Sequence, residues 1–358
     1  MDNLDNKRKS VIAIGTFDGV HLGHRYLIRE AEAYRSDPAY QRGLSHEGLS
    51  LMAVTFDRHP ASVTRPGLEP LHLTDLEQKI DFLLRTGVDG VCVIRFDKQK
   101  SQLPARDFIV EFLVKQLNAA AVFVGDNFRF GYQAAGDTQL LSQVAGEMGF
   151  YFKSVPLLVD KKLRTAISST AIRTLVASGN IQEANRLLGH SHAVAANLLA
   201  CGDDEVLFSV SHKAALPASG TYFGRLRAIK HKVNLGQWET SGIDSDYVCI
   251  QRPNDVEELC SFEDVIIGLR DEKTPEGDVM KTSQIHMTSE DLPFGGDLDF
   301  ADSTTERLDF INAGVQILEL SGIGKKDIDF LKSMVSAGTS GEDVHYFIEL
   351  QSQPGEIA

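Results

Sequence analysis

A chain of 358 residues can support two hydrophobic cores, since one core ordinarily serves about 100–200 residues. With 42% hydrophobic and 24% charged residues the composition is that of a globular protein, and no apolar run approaches the roughly 20 residues of a membrane-spanning helix. The net charge of −14 argues against a nucleic-acid or anionic-membrane binder, because either must neutralise phosphates with a cationic face.

The polar first ten residues lead only into Val11-Ile12-Ala13-Ile14, too short for a signal-peptide core, so a cytoplasmic location is expected. From there to residue 155, short runs rich in Val, Ile and Phe alternate with segments of helical period. That alternation predicts an α/β fold with a parallel sheet and helices on its faces. The expected strands are residues 11–15, 51–56, 90–96, 120–125 and 150–155, five in all. The expected helices are residues 23–34, 75–86, 105–117 and 138–148, each with apolar residues three and four apart. Ligands in such sheets lie beyond the carboxyl ends of the strands, so chemistry belongs in the loops after Gly15, Phe56 and Gly125. Two more helices are expected at 169–177 and 181–188, and the pair Leu188-Gly189 reads as a domain boundary. Past it come strand-like fragments at 205–210, 221–228, 247–250 and 265–269, then a helical stretch at 328–335. The division is thus 1–189 and 190–358. The first part carries 23 Lys+Arg against 21 Asp+Glu, the second 13 against 29, so anionic substrates are better received by the first. Cys92, Cys201, Cys249 and Cys260 lack the paired short spacing of a zinc or redox site and read as reduced thiols.

The chemistry-bearing string is Gly15-Thr16-Phe17-Asp18-Gly19-Val20-His21-Leu22-Gly23-His24, running from the first strand into the first helix. Its glycines let the backbone turn sharply and approach a ligand, and the helix start presents free N–H groups to phosphate. His21 and His24, three apart, can face the same side and donate to phosphate oxygens. Further on, Gly125-Asp126-Asn127-Phe128-Arg129-Phe130-Gly131 combines an opened loop, an amide for phosphate or hydrated metal, and two aromatic faces. Phe128 and Phe130 also admit a reading as core. Ser168-Ser169-Thr170 stands at a helix start, where hydroxyls cap the helix or bind phosphate, and Arg173 lies one turn in.

Together these segments resemble the amino-terminal adenylyltransferase module of the bacterial bifunctional riboflavin kinase/FMN adenylyltransferase (FAD synthetase) family. In the same order, Val54-Thr55-Phe56-Asp57-Arg58-His59-Pro60 resembles that family's strand ending in a Pro-His-Pro turn, with Arg58 where the family usually has Pro. The resemblance implies a Rossmann-like nucleotidylyltransferase domain with Mg²⁺ as cofactor and ATP and FMN as substrates. It assigns Gly15, Thr16, Phe17, Asp18, Gly23, His24 and Ser169 to ATP, and His59, Asn127, Phe128 and Arg129 to flavin, with Asn127 also the metal contact. His21, His24, Ser168, Thr170 and Arg173 are the implied catalytic groups. No nucleic-acid or membrane partner is expected.

In that family a flavokinase barrel follows, marked by a Gly-Phe-Pro-Thr-Ala-Asn segment. None of the eleven prolines here is followed by threonine. Residues 215–222 and 267–272 resemble other pieces of that barrel, so 190–358 is expected to be a smaller strand-rich domain, either a degenerate flavokinase-like β-barrel or an unrelated one. The expected activity is FAD synthesis from FMN without riboflavin phosphorylation, the bifunctional riboflavin kinase/FAD synthetase being the alternative. Other nucleotidylyltransferases share the His motif but lack Gly-Asp-Asn-Phe-Arg-Phe-Gly, and class I aminoacyl-tRNA synthetases need a basic RNA face. From outside the enzymes, a flavin-binding regulator that kept the fold is the competing reading.

Overall fold

The structure, a computed structural model, describes residues 9–38, 49–201, 205–218, 220–230, 247–251, 257–269, 315–321 and 344–352. Its strands are β1 (Lys9–Ile14), β2 (Leu49–Phe56), β3 (Gly90–Ile94), β4 (Ala119–Gly125), β5 (Tyr151–Val155), β6 (Val159–Asp160) and β7 (Thr165–Ala166). They continue as β8 (His192–Cys201), β9 (Glu205–Ser211), β10 (Gly220–Lys230), β11 (Tyr247–Gln251), β12 (Glu257–Leu269), β13 (Val315–Ser321) and β14 (Val344–Ser352). The helices are α1 (Leu22–Ser36), α2 (Ala61–Thr64), α3 (Leu76–Leu84), α4 (Lys98–Ser101), α5 (Ala105–Asp107), α6 (Thr138–Met148), α7 (Ser169–Ala177) and α8 (Ile181–Leu188). None among the described residues is long and apolar enough to cross a membrane.

Two compact units emerge. The first comprises residues 1–70, 76–171 and 235–252; the second comprises 71–75, 172–234 and 253–358. Gly189, the boundary expected from sequence, closes α8 in the left-handed conformation that glycine adopts without steric cost.

The first unit is built on a sheet of order β11-β3-β2-β1-β4-β5. Strands β1 to β5 run parallel, as their apolar runs predict. Alternate residues feed two cores. Val11, Ala13, Leu51, Ala53, Ala121 and Phe123 pack with α1 and α3 on one face. Ile12, Ile14, Met52, Val54, Val122 and Val124 pack on the other with α6 and residues 108–116. Because the chain moves outward from β1 through β2 to β3 and then crosses to β4, the strand order reverses between β1 and β4. A crevice outside the carboxyl ends of those two strands is where open α/β sheets bind ligands.

Two expectations change here. The helix expected at 105–117 is α5 followed by a π-helix, Phe108–Gln116, in which Leu117 N–H bonds back five residues to Phe112 O at 3.0 Å. The five-stranded sheet has a sixth member: β11 pairs antiparallel with β3, Cys249 opposite Cys92, and covers what would be an open edge. Both cysteines are free thiols, and burial pushes the Cys92 thiol up from its ordinary pKa. Val248 and Ile250 pack against one core and Tyr247 and Cys249 against the other, Tyr247 edge-on to Phe112 with ring centroids 5.2 Å apart.

In the second unit, among the described residues, the strands close into an antiparallel barrel, β10-β12-β13-β9-β8-β14. Residues 220–222 of β10 lie opposite 267–269 of β12, so the two segments that resemble flavokinase pieces are barrel neighbours. Asn185 ties α8 to the barrel, donating to Leu350 O at 2.8 Å and accepting from His192 N at 2.7 Å. The helix expected at 328–335 lies outside the described residues.

Replacing Ile250 by Ala removes apolar contact from a half-buried strand. It is expected to lower first-unit stability by about 1–2 kcal/mol, a midpoint shift of a few degrees in a thermal melt.

Candidate active site

The turn after β1 departs from ordinary backbone geometry. Gly15 N–H still continues the ladder to Val54 O, but Phe17 and Val20 then take φ of +52° and +36°, values L-residues rarely adopt. Val20 N–H closes the turn onto Phe17 O at 3.1 Å. Such strain is of the order of 1–3 kcal/mol per residue and persists where packing over-determines it. Phe17 and Val20 are both fully buried.

The turn delivers His21 to the N-cap of α1, where its Nδ1 accepts the His24 backbone N–H at 3.3 Å. Accepting there places the His21 proton on Nε2. The two imidazoles stack, centroids 3.6 Å apart and 15° from parallel, and the Phe17 ring meets His24 edge-on at 5.1 Å. His24 Nδ1 is buried without a hydrogen-bond partner. Loss of hydration, then His21, then Lys79 hold the His24 pKa well below its ordinary 6.5, so the ring is neutral near pH 7.

Two contacts join this turn to the segment before α7. A Cβ on Gly23 would stand 3.1 Å from the His21 ring and 3.2 Å from Ile167 O, so the absence of a side chain sets how near the segments come. Ser169 Oγ donates to Asp18 O at 2.9 Å, and Ser168 Oγ accepts from Ala171 N–H as a cap of α7. Thr16 is fixed from the other side, its carbonyl accepting from Thr55 Oγ1 at 3.0 Å. Gly15, Thr16, Phe17, Asp18, His21, Gly23, His24, Ser168 and Ser169 are therefore brought together. Thr170, next in line, is exposed. Arg173 belongs to the second unit, where its Nε donates to Leu71 O at 2.6 Å.

At the end of β4, Asn127 and Arg129 are exposed and Phe128 half-buried. Asn127 folds back over Gly125, its Oδ1 3.3 Å from where a Cβ would be. Phe128 stacks on Phe130 at 5.4 Å, and Phe130 is buried against Phe108, so of the two readings for these rings Phe130 is core. Arg129 pairs with Asp137, the cap of α6, at 3.2 Å. Phe130 bridges antiparallel to Gly136, and the turn between them approaches closely: a Cβ at Gly131, where φ is +72°, would lie 2.5 Å from the Ala105 backbone. His59 is drawn into local bonding, its Nδ1 accepting Ala61 N–H at 3.1 Å and its carbonyl accepting Ser62 Oγ at 2.8 Å. Arg58 pairs with Asp57 at 2.9 Å.

Lys79, absent from every sequence motif, is a buried cation near the turn. It is 8% exposed on α3, its Nζ donating to Phe56 O at 2.7 Å. Its one sequence signal is a charge set among the apolar positions Leu76, Ile80, Leu83 and Leu84 of one helix.

Known proteins resemble this chain in sequence and in fold. Residues 3–171 match the family model described as FAD synthetase. A bifunctional riboflavin kinase/FMN adenylyltransferase of Escherichia coli (strain K12) is 37% identical over 193 residues, 53% of this chain and 57% of the relative. The match thus spans little more than half the length of that relative. A protein of the same name from Listeria monocytogenes serovar 1/2a is 30% identical over 234 residues, 63% of this chain and 68% of its own. A crystal structure from Streptococcus pneumoniae, described as a macrolide-efflux protein, covers 98% of this chain with a TM-score of 0.58 at 17% identity, a likeness of fold alone.

The neutral imidazole has a consequence for pH. Above 6.5 His24 is uncharged in both the folded and the unfolded chain; as pH falls below 6.5 the unfolded chain takes up a proton that the folded chain refuses, until the lowered folded pKa is reached. Stability is therefore expected to drop on acidification through that window, and His24→Gln to flatten this part of the profile in melts recorded across it.

Proposed function

We propose, for a chain that belongs to the bifunctional riboflavin kinase/FMN adenylyltransferase family, that it transfers AMP from ATP to FMN, releasing pyrophosphate and forming FAD. The chemistry is assigned to residues 1–189. The observation that carries the reading is the stacked His21–His24 pair at the end of β1, with a buried, unpartnered Nδ1 on His24.

The FMN phosphate oxygen attacks the α-phosphorus of ATP, and the bond to the pyrophosphate oxygen breaks with its electron pair. A phosphate monoester is already largely ionised near neutral pH, so no general base is required. The protein's work is orientation and stabilisation of charge as it develops. His21 Nε2–H and the neutral His24 ring are donors toward the ATP phosphates. Ser168, Ser169, Thr170 and Arg173 are assigned to the phosphates and the leaving pyrophosphate. Gly15, Thr16, Phe17, Asp18 and Gly23 shape the nucleotide side, while His59, Asn127, Phe128 and Arg129 take the flavin side. Mg²⁺, when bound, neutralises phosphate charge. It favours hard oxygen donors and usually keeps several waters, which fits the exposed Asn127 amide folded over Gly125.

Incubation with ATP, Mg²⁺ and FMN is expected to yield FAD and pyrophosphate, with phosphopantetheine and CTP inert. Removal of one preorganised donor to a charged transition state costs about 2.7–4 kcal/mol, so His24→Ala is expected to lower kcat roughly a hundredfold or more with the fold intact. Near-normal turnover would take His24 out of the mechanism.

Residues 190–358 are read as a degenerate riboflavin-kinase-like barrel. The absence of any Pro-Thr step in the sequence supports loss of the family's ATP- and metal-binding segment. Riboflavin supplied with ATP and Mg²⁺ is therefore expected to remain unphosphorylated; chromatographic detection of FMN from riboflavin alone would overturn this part of the reading.

A further inference from the structure

The chemistry set out above leaves Lys79 unused. Its neighbours on α3, Ile80, Leu83 and Leu84, are buried apolar side chains of the core, a place where an ammonium loses hydration. The hydrogen bond to Phe56 O, the last carbonyl of β2, fixes where the ammonium points. That carbonyl stands beside the phosphate turn: β1 and β2 run in register with Ile14 opposite Val54, and Thr55 Oγ1 reaches Thr16 O at 3.0 Å. The Lys79 charge lies near enough to His24 to disfavour a proton there. In a chain of net charge −14, a buried ammonium near the neutral His24 ring supplies a positive charge complementary to polyphosphate.

We propose that Lys79 is a phosphate-binding cation of this site, held by Phe56 O so that its ammonium neutralises the nucleotide's phosphates next to His24. The proposal deepens the adenylyl-transfer reading and rests on it. The hydrogen bond to Phe56 O needs a donor, whereas phosphate binding needs charge. Lys79→Gln keeps an amide donor and removes the charge, Lys79→Arg keeps the charge, and Lys79→Met removes both.

The full chain is assayed for FAD formation, with inorganic pyrophosphate binding measured by calorimetry and folding by thermal melt. Lys79→Gln and Lys79→Met are expected to lower kcat/KM for ATP by about thirtyfold or more and to weaken pyrophosphate binding about tenfold, and Lys79→Arg to recover most of both, as a charge-assisted contact requires. A folded Lys79→Gln protein with undiminished turnover and pyrophosphate affinity overturns the proposal, as does a Lys79→Arg protein no better than Lys79→Gln. Loss of the fold in all three variants assigns the lysine to structure and also overturns it. If the unaltered chain makes no FAD yet binds pyrophosphate through Lys79, the adenylyl-transfer reading fails and the phosphate contact stands.

Discussion

The missing side chain at Gly23 is the constraint from which the site follows. The start of α1 can meet Ile167 O only because nothing projects from that Cα, and the same approach lets Ser169 Oγ reach Asp18 O. Two segments some 145 residues apart in sequence thereby meet at two backbone carbonyls, Ile167 O beside Gly23 and Asp18 O beneath the Ser169 hydroxyl. His21 and His24 inherit their position from that contact. Their stacking, 3.6 Å between centroids, fixes one ring against the other, the kind of orientation that the proposed adenylyl transfer asks of its donors.

Strain and burial are matched in the same turn. Phe17 and Val20 hold positive φ, yet both are fully buried and Phe17 packs against His24. A fully buried Phe or Val side chain contributes about 1.5–3 kcal/mol, comparable with the strain at each position. The turn is thus held by the core beneath it. The burial that holds it also desolvates His24 and keeps that ring neutral.

Legibility in the sequence tracked how local the cause of each element is. Helix α6 was readable to the residue because Asp137 accepts from Gln139 and Leu140 N–H at its start and Gly149 turns left-handed at its end. Strands β1 to β4 were readable because their central residues are buried on both faces in continuous apolar runs, whereas β5, an edge strand with Lys153 and Ser154 half-buried, shows only a short apolar segment. In β8, by contrast, His192–Cys201 is rich in Ala and Leu, residues that favour helix, and the barrel overrides that preference. The alternation in β14, where Ile348 and Leu350 are buried, was present and passed unread. Nothing local marks β11 as a partner of β3, since pairing at that distance depends on tertiary contact. In the candidate site, the glycine-bent turn was legible because its glycines and two histidines fall within one ten-residue string. Lys79 was not, because one lysine on an amphipathic helix looks like any solvated charge until its environment is seen. His59 and Arg129 were legible as residue types, but their engagement with Ala61 and Asp137 was not.

The sheet's sixth strand also has a consequence for synthesis. Strand β3 leaves the ribosome roughly 150 residues ahead of β11, and at about 5–20 residues per second its outer edge waits some 8–30 s for the segment that covers it. During that interval the nascent chain displays an unpaired, wholly apolar row, Gly90–Ile94, of the kind that recruits foreign strands. The edge of the sheet is thus completed only by residues made long after the strand they cover.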